Sequence, residues 1–164
     1  MKFEDKHSFR QPVEALTKMY FSRAYHERKY EMMKARNVEV LELVDTPDRF
    51  HIVVRFSTDA DAPLPDFAKR VIGDSLAITQ TDSWDRKALK GTIKVEIKGA
   101  PVKVGADMVI RSEAGGGASN NFVWNVQCGI PLVGGKVEKV IAADIQSKAG
   151  ADAARSQQIL DEQG

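Results

Sequence analysis

The chain has 164 residues and a mass of 18.1 kDa, which suits one domain and leaves too little for two that each bury a substantial core. Hydrophobic residues make up 43% of it and charged residues 29%, so there is material for a core, and no stretch approaches the roughly 20 apolar residues of a membrane-spanning helix. Twenty-four Lys and Arg against 23 Asp and Glu leave a formal charge of +1, which excludes the strongly basic footprint of a general nucleic-acid binder and gives no acidic tail or polybasic anchor.

Residues Lys2 to Arg10 alternate with period two, with Phe3, Asp5, His7 and Phe9 on one side, which predicts a half-buried strand with one acid on its inward face. Pro12 then opens a helical spacing of Val13, Leu16 and Tyr20, as suits a residue with a fixed φ and no amide hydrogen to satisfy. Ser22 interrupts, and a second helical stretch runs from Tyr25 to Ala35, so the region is two short helices or one bent one. From Asn37 the period returns to two: Val38, Val40, Glu42 and Val44 share one face, and after the Thr46-Pro47-Asp48 turn so do Phe50, Ile52, Val54 and Phe56. This reads as a hairpin. Thr58 to Asp74 is an irregular connection in which residues 65–72 favour a short helix ended by Gly73.

Four more strands follow. Leu76 and Ile78 begin the first, which reaches Trp84, and Thr92 to Lys98 is the cleanest alternation in the chain. Val102, Val104, Ala106, Met108 and Ile110 share a face of the next, and Phe122, Trp124, Val126 and Cys128 of the last, with Glu113 to Gly117 as the turn between them. One wet and one dry face on each strand mark an antiparallel sheet. From Gly135, Val137, Val140, Ile141 and Ile145 form a helical stripe, and good helix formers carry a predicted helix of about 25 residues to Leu160. A helix of that length is expected to lay its stripe across the dry face of the sheet. The order is that of one α+β domain over residues 1–164.

This order resembles the START-like (SRPBCC) superfamily, the helix-grip fold shared by the steroidogenic lipid-transfer domain and the birch-pollen allergen Bet v 1. The resemblance covers nearly the whole chain. It is carried by the opening strand running into Pro12-Val13-Glu14-Ala15-Leu16, the final strand Phe122-Val123-Trp124-Asn125-Val126, and the helix from Pro131 to Leu160. More narrowly, the chain resembles a bacterial branch known as the domain of unknown function DUF2505. The resemblance implies a curved antiparallel sheet wrapped around a long C-terminal helix, with two short helices after the first strand and an apolar cavity between sheet and helix. Carried onto this sequence, the cavity-facing candidates are Phe50, Ile52, Val54, Ile93, Val95, Met108, Ile110, Phe122 and Trp124 from the sheet, and Val137, Ile141 and Ile145 from the helix. Each of them also suits a plain core position. Relatives bind sterols, phospholipids, polyketides, hormones or quinones, some act chemically on their ligand and others are adaptors, so the fold alone selects no function.

Chemistry-bearing residues are sparse. His7, His26 and His51 lie in three different elements with no metal-ligand spacing, so neither a metal nor a cofactor is expected. His26 reads as a helix-surface residue and His51 as solvent-facing. Asp5, His7 and Glu42 share faces with apolar residues and are the candidate polar cavity residues; no catalytic residue is assigned. A carboxyl in an apolar pocket is the arrangement that general acid catalysis requires, and the same groups can equally orient a ligand's polar end. The single cysteine, Cys128, excludes an internal disulfide framework and a Cys-based zinc site and reads as a small buried hydrophobe. The start of the chain lacks the apolar run of a secretory signal, so a reduced cytoplasmic protein is expected. Nine basic and five acidic residues precede Asn37. Among them Arg23, Arg28, Lys29, Lys34 and Arg36 suggest a weak basic lip, suited to transient contact with anionic lipid or to a carboxylated ligand.

The expected function is noncatalytic binding of a small hydrophobic or amphipathic molecule, exchanged where the short helices and the Thr58–Asp74 segment border the cavity. A cyclase- or hydrolase-like enzyme and a solid-cored protein-interaction adaptor are the alternatives, with any protein partner unknown. Nucleic acid is not an expected partner.

Overall fold

A computed structural model describes residues 1–163. In chain order the elements are β1 (Lys2–Phe9), α1 (Val13–Tyr20), α2 (Arg23–Met32), β2 (Arg36–Asp45), β3 (Arg49–Asp59), α3 (Asp66–Ile72), β4 (Ser75–Asp85), β5 (Lys90–Ile97), β6 (Val102–Ser112), β7 (Ala118–Cys128) and α4 (Gly134–Gln163). The strands form one curved sheet in the order β1-β7-β6-β5-β4-β3-β2, every neighbouring pair antiparallel. Simple hairpins make all its connections except two. The helices α1 and α2 carry the chain from one edge of the sheet to the other, and α3 lies between β3 and β4.

Two separate helices, rather than one bent helix, follow β1. The Ser22 side chain caps α2, its Oγ accepting from the Tyr25 amide at 3.2 Å while donating to the Met19 carbonyl at 2.7 Å, so one hydroxyl ends the first helix and starts the second. The strand faces expected from period two hold along β1, β3, β4, β5, β6 and β7. In β2 they do not. A bulge between Val40 and Glu42 breaks the register with β3: Val40 stands opposite Val54, but Glu42 stands opposite Val53. One extra residue turns every later side chain of the strand over. Glu42 therefore lies on the convex, outer face, where it is exposed and accepts from His51 Nε2 at 3.1 Å.

The terminal helix is 30 residues long and runs unbroken through Gly150. Its start is pressed against the end of β7, where a side chain at Gly134 would collide with the Cys128 carbonyl oxygen. Only glycine allows that corner. α4 packs against β7 and β1 on one side and α2 and α1 on the other, so it grips the sheet near one edge instead of crossing the middle. Its far end is tied down by Arg10 and Gln11, which donate to Asp161 at 3.1 and 2.9 Å, and by Arg28 to Glu162 at 3.1 Å.

The core divides into two clusters. The larger lies where α1 and α2 plug the concave face: Leu16, Met19, Tyr20, Phe21, Tyr25 and Tyr30 meet Phe50, Ile52, Val54, Phe56 and Trp84. The smaller joins the first half of α4 to β6, β7 and α3 through Val137, Ala142, Val102, Val104, Val126, Leu64 and Ala68. Leu76, Val95 and Trp124 touch both. Between the clusters the concave face is not filled.

Candidate ligand-binding site

Two adjoining chambers occupy that gap. The outer one has a volume of about 430 Å³ and lies between α4, the middle of the sheet and the β3–α3 segment; its walls include Leu64, Ile72, Leu76, Ile78, Val95, Ile97, Ile141 and Ile145. This is within the usual range for small-molecule sites. The inner chamber, of about 150 Å³, reaches under α2 and is bounded by Tyr20, Tyr25, Lys29, Asp82, Asn120, Phe122 and Ser156 among others. Gln80, Met33, Trp124, Asp152 and Arg155 line both chambers. The site is therefore amphipathic, with an apolar vestibule and a polar end.

The sequence-expected cavity residues divide accordingly. Val95, Trp124, Ile141 and Ile145 line the outer chamber, and Ile93, Met108, Phe122 and Trp124 the inner one. Phe50, Ile52, Val54 and Ile110 lie instead in the packed cluster beneath α1 and α2, and Val137 is sealed in the smaller cluster. The physical reason is that the short helices fill half of the concavity, so only the part under the middle of α4 stays open. Of the polar candidates, His7 lines the inner chamber, its ring 4.7 Å from that of Phe122. Asp5 stands behind it on the same face, with Oδ2 accepting from His7 Nε2 at 3.0 Å. Glu42 is on the other side of the sheet, turned out by the bulge.

His26, expected on the helix surface, is instead 1% exposed, stacked 5.7 Å from Phe50, and neither ring nitrogen has a hydrogen-bond partner among the described residues. The charged Glu27 and Arg28 follow it in sequence, but it shares a helical face with Tyr30, four residues on, and that face is the buried one.

The polar end lies outside the residues that the sequence pattern singles out for the cavity. Asp82 is 6% exposed and lies on the dry face of β4 with Ile78 and Trp84; Gln80 Nε2 donates to its Oδ1 at 2.9 Å. The even-numbered period of that strand carried the signal. Lys29 places its ammonium 4.9 Å from the Tyr30 ring centre and 5.6 Å from that of Tyr25, a cation–π arrangement. Burial works against its charge, yet the nearby Tyr30, Asp82 and Asp152 hold its pKa above the ordinary lysine value. Burial likewise raises the Tyr25 phenol, against the bond it shares with Ser156 Oγ at 2.9 Å, and pushes Tyr30 up to about 12. The phenols are thus neutral hydrogen-bonding groups at physiological pH.

Trp124 Nε1, Tyr30 Oη and Asn120 Oδ1 are buried and have no partner among the described residues. Each such group costs about 1–3 kcal/mol unless a water or a bound molecule satisfies it. The Tyr25–Ser156 bond, in contrast, joins α2 to α4 deep in the fold. Ser156→Ala is expected to cost about 1–2 kcal/mol by leaving the phenol unpaired, read as a lowered urea midpoint with an unchanged m-value.

Among the described residues no cluster of His, Cys, Asp and Glu could hold a metal ion, and no helix is long and apolar enough to cross a membrane. A curved seven-stranded antiparallel sheet gripping a long C-terminal helix, with two short helices after the first strand, is the helix-grip architecture of the START-like (SRPBCC) superfamily. The chain belongs to the family described as "Protein of unknown function (DUF2505)", which matches residues 4–159. Among solved structures it is similar to a protein of Thermus thermophilus at 15% identity and a TM-score of 0.67, over 98% of this chain and 97% of that one. It is also similar to the Zhui aromatase/cyclase from a Streptomyces species, at 11% identity and a TM-score of 0.65, over 98% and 93%. A START superfamily protein from Mycobacterium smegmatis matches at 12% identity and a TM-score of 0.59, over 96% and 98%. At these identities the likeness is one of fold. No curated protein matches the chain in sequence.

Proposed function

We propose that the chain binds one small amphipathic molecule without covalent chemistry, its apolar body in the outer chamber and its polar end in the inner one. The observation that carries this reading is the unfilled half of the concave face, where an apolar vestibule leads to the buried Trp124 Nε1 and Asn120 Oδ1, which have no partner among the described residues. Burial of the ligand's apolar surface supplies the affinity, at about 25 cal/mol per Å² removed from water, and the inner groups set its orientation. Native mass spectrometry of the purified protein, followed by solvent extraction, tests it. A stoichiometric apolar or amphipathic adduct is the expected result. A ligand-free protein whose crystal structure shows the gap closed by side chains would end the proposal.

The mouth is bordered by the segment between β3 and α3. Lys148 on α4 donates to Asp61 of that segment at 2.7 Å and to Asp144 of its own helix at 2.9 Å. This pair straps the segment across the outer chamber and, being exposed, contributes under about 1 kcal/mol to stability. Lys148→Ala is therefore expected to speed release of the uncharged dye N-phenyl-1-naphthylamine several-fold in stopped-flow displacement while the thermal midpoint stays nearly fixed. Unchanged release kinetics would remove the strap from the exchange route.

A second reading, an enzyme of the cyclase or hydrolase kind, rests on the Asp5–His7 pair at the inner chamber. Asp5 holds Nε2 protonated, which leaves Nδ1 as the basic nitrogen. In that case His7→Gln, which keeps a polar side chain of similar size in the chamber wall, abolishes turnover of the extracted ligand while the ligand still binds; under the binding reading no turnover exists to lose.

A further inference from the structure

The inner chamber holds two charges of opposite sign that do not meet. Lys29 and Asp82 both line it, yet among the described residues neither has an oppositely charged group within 4.0 Å. Asp82 accepts only from the neutral Gln80 amide, and the Lys29 ammonium rests over two tyrosine rings. The other charges of the chamber are already satisfied: Arg155 donates to Asp152 at 2.6 Å, and His7 is bonded to Asp5. Lys29 and Asp82 together form a separated donor and acceptor at the polar end of an otherwise aromatic and apolar space, with Trp84, Phe122 and Trp124 beside them.

Such a pair selects the head of a ligand by charge balance. A carboxylate would meet Lys29 but bring a second anion beside the buried Asp82, and an ammonium group would do the converse. In a space of low dielectric, each leaves one like-charge contact uncompensated. An uncharged hydroxyl has no such conflict, because its oxygen accepts from an ammonium while its hydrogen is donated to a carboxylate. Both bonds are charge-assisted and are the stronger for it. Size agrees as well: a cavity of about 150 Å³ is the volume that holds a single benzene ring, so the inner chamber has room for a hydroxyl-bearing end but not for a bulky head such as a phosphodiester with its substituent.

Resting on the binding reading above, we propose that the ligand is an electrically neutral apolar alcohol or phenol whose hydroxyl bridges Lys29 and Asp82. The chain thereby discriminates against fatty acids and cationic amphiphiles of equal apolar bulk. The Asn120 Oδ1 acceptor and the Ser156 hydroxyl, in the same chamber, are close at hand for a second hydroxyl.

Three probes of one chain length and different heads test this: 1-decanol, decanoate and decylammonium, titrated at pH 7.4 with intrinsic tryptophan emission and calorimetry as readouts, since Trp84 and Trp124 line the chamber. 1-Decanol is expected to bind at least tenfold more tightly than either ion. Asp82→Asn, which leaves Lys29 as the only unpaired charge, shifts the preference to decanoate. Lys29→Met shifts it to decylammonium. Equal affinity for the three heads, or a ranking that neither substitution moves, overturns the hydroxyl assignment and leaves the pocket standing. No binding of any probe to the ligand-stripped wild-type protein overturns the pocket and the assignment together. Circular dichroism establishes that the variants fold, and the wild-type ranking decides alone if either does not.

Discussion

Acidification from pH 7 to pH 4 is expected to remove about 3 kcal/mol of folding stability through the single side chain of His26. Burial takes its ring out of water and lowers its pKa from 6.5 to about 4; Asp82 opposes this and Lys29 adds to it. Between those two values the unfolded chain binds a proton that the folded chain excludes, so stability falls as pH falls through the window. It is fully present above about pH 6.5, and below pH 4 both states carry the proton and the loss ends. His26→Phe keeps the stack on Phe50 and removes two ring nitrogens without partners. It is expected to flatten the profile between pH 6.5 and 4 and to stabilise the protein at pH 7 by about 1 kcal/mol or more. Urea unfolding of both proteins at several pH values gives the comparison, and parallel profiles would refute the role of His26.

Trp84→Ala is expected to cost about 3–5 kcal/mol, the usual range for deleting a buried aromatic side chain. Trp84 is 2% exposed, with its ring 5.5 Å from Phe21 and 5.8 Å from Tyr20. It exists in that position because Gly91, its partner on β5, has no side chain: a Cβ there would lie 2.6 Å from the indole. Gly91→Ala is accordingly expected to destabilise by about 1–3 kcal/mol through overpacking. The two effects are coupled. In the Trp84→Ala background the added methyl group meets an empty space instead of a ring, although the Ser83 carbonyl at 2.7 Å still resists it. A double-mutant cycle by thermal or urea unfolding should therefore give a total smaller than the sum of the single changes. Simple additivity would mean that the indole does not use the glycine's vacancy.

Much of the fold was legible because one residue in two faces the interior along every strand but β2. Phe50, Ile52 and Val54, or Ile93 and Val95, declare that pattern without help from the rest of the chain. The bulge at Leu41 did not declare itself, since Val38, Val40, Glu42 and Val44 continue the alternation straight across it; only pairing with β3 shows the slip. The site was legible in part. Its apolar wall followed from strand parity and the helical stripe of Ile141 and Ile145. The division between filled and open halves depends on how far α1 and α2 sink into the concavity, which is a property of tertiary packing. Asp82 was accessible to parity and Lys29 to helical spacing. What no local pattern contains is that these two charges face one space without meeting.

The interrupted register of β2 has a consequence for how copies of the protein behave when crowded. β2 is the outermost strand of an open sheet, and Val38, Leu41 and Leu43 are each about 40% exposed there. A straight rim of this kind would template pairing with another molecule's rim and grow into a ribbon. Two register irregularities interrupt it, between Arg36 and Glu39 and between Val40 and Glu42, and Glu39 and Glu42 add carboxylates on its outer face, bound to Arg55 and His51, all of which works against flush pairing of two rims. The same irregularity that turns Glu42 away from the pocket thus makes this rim a poorer template for edge-to-edge pairing than a straight strand of the same residues.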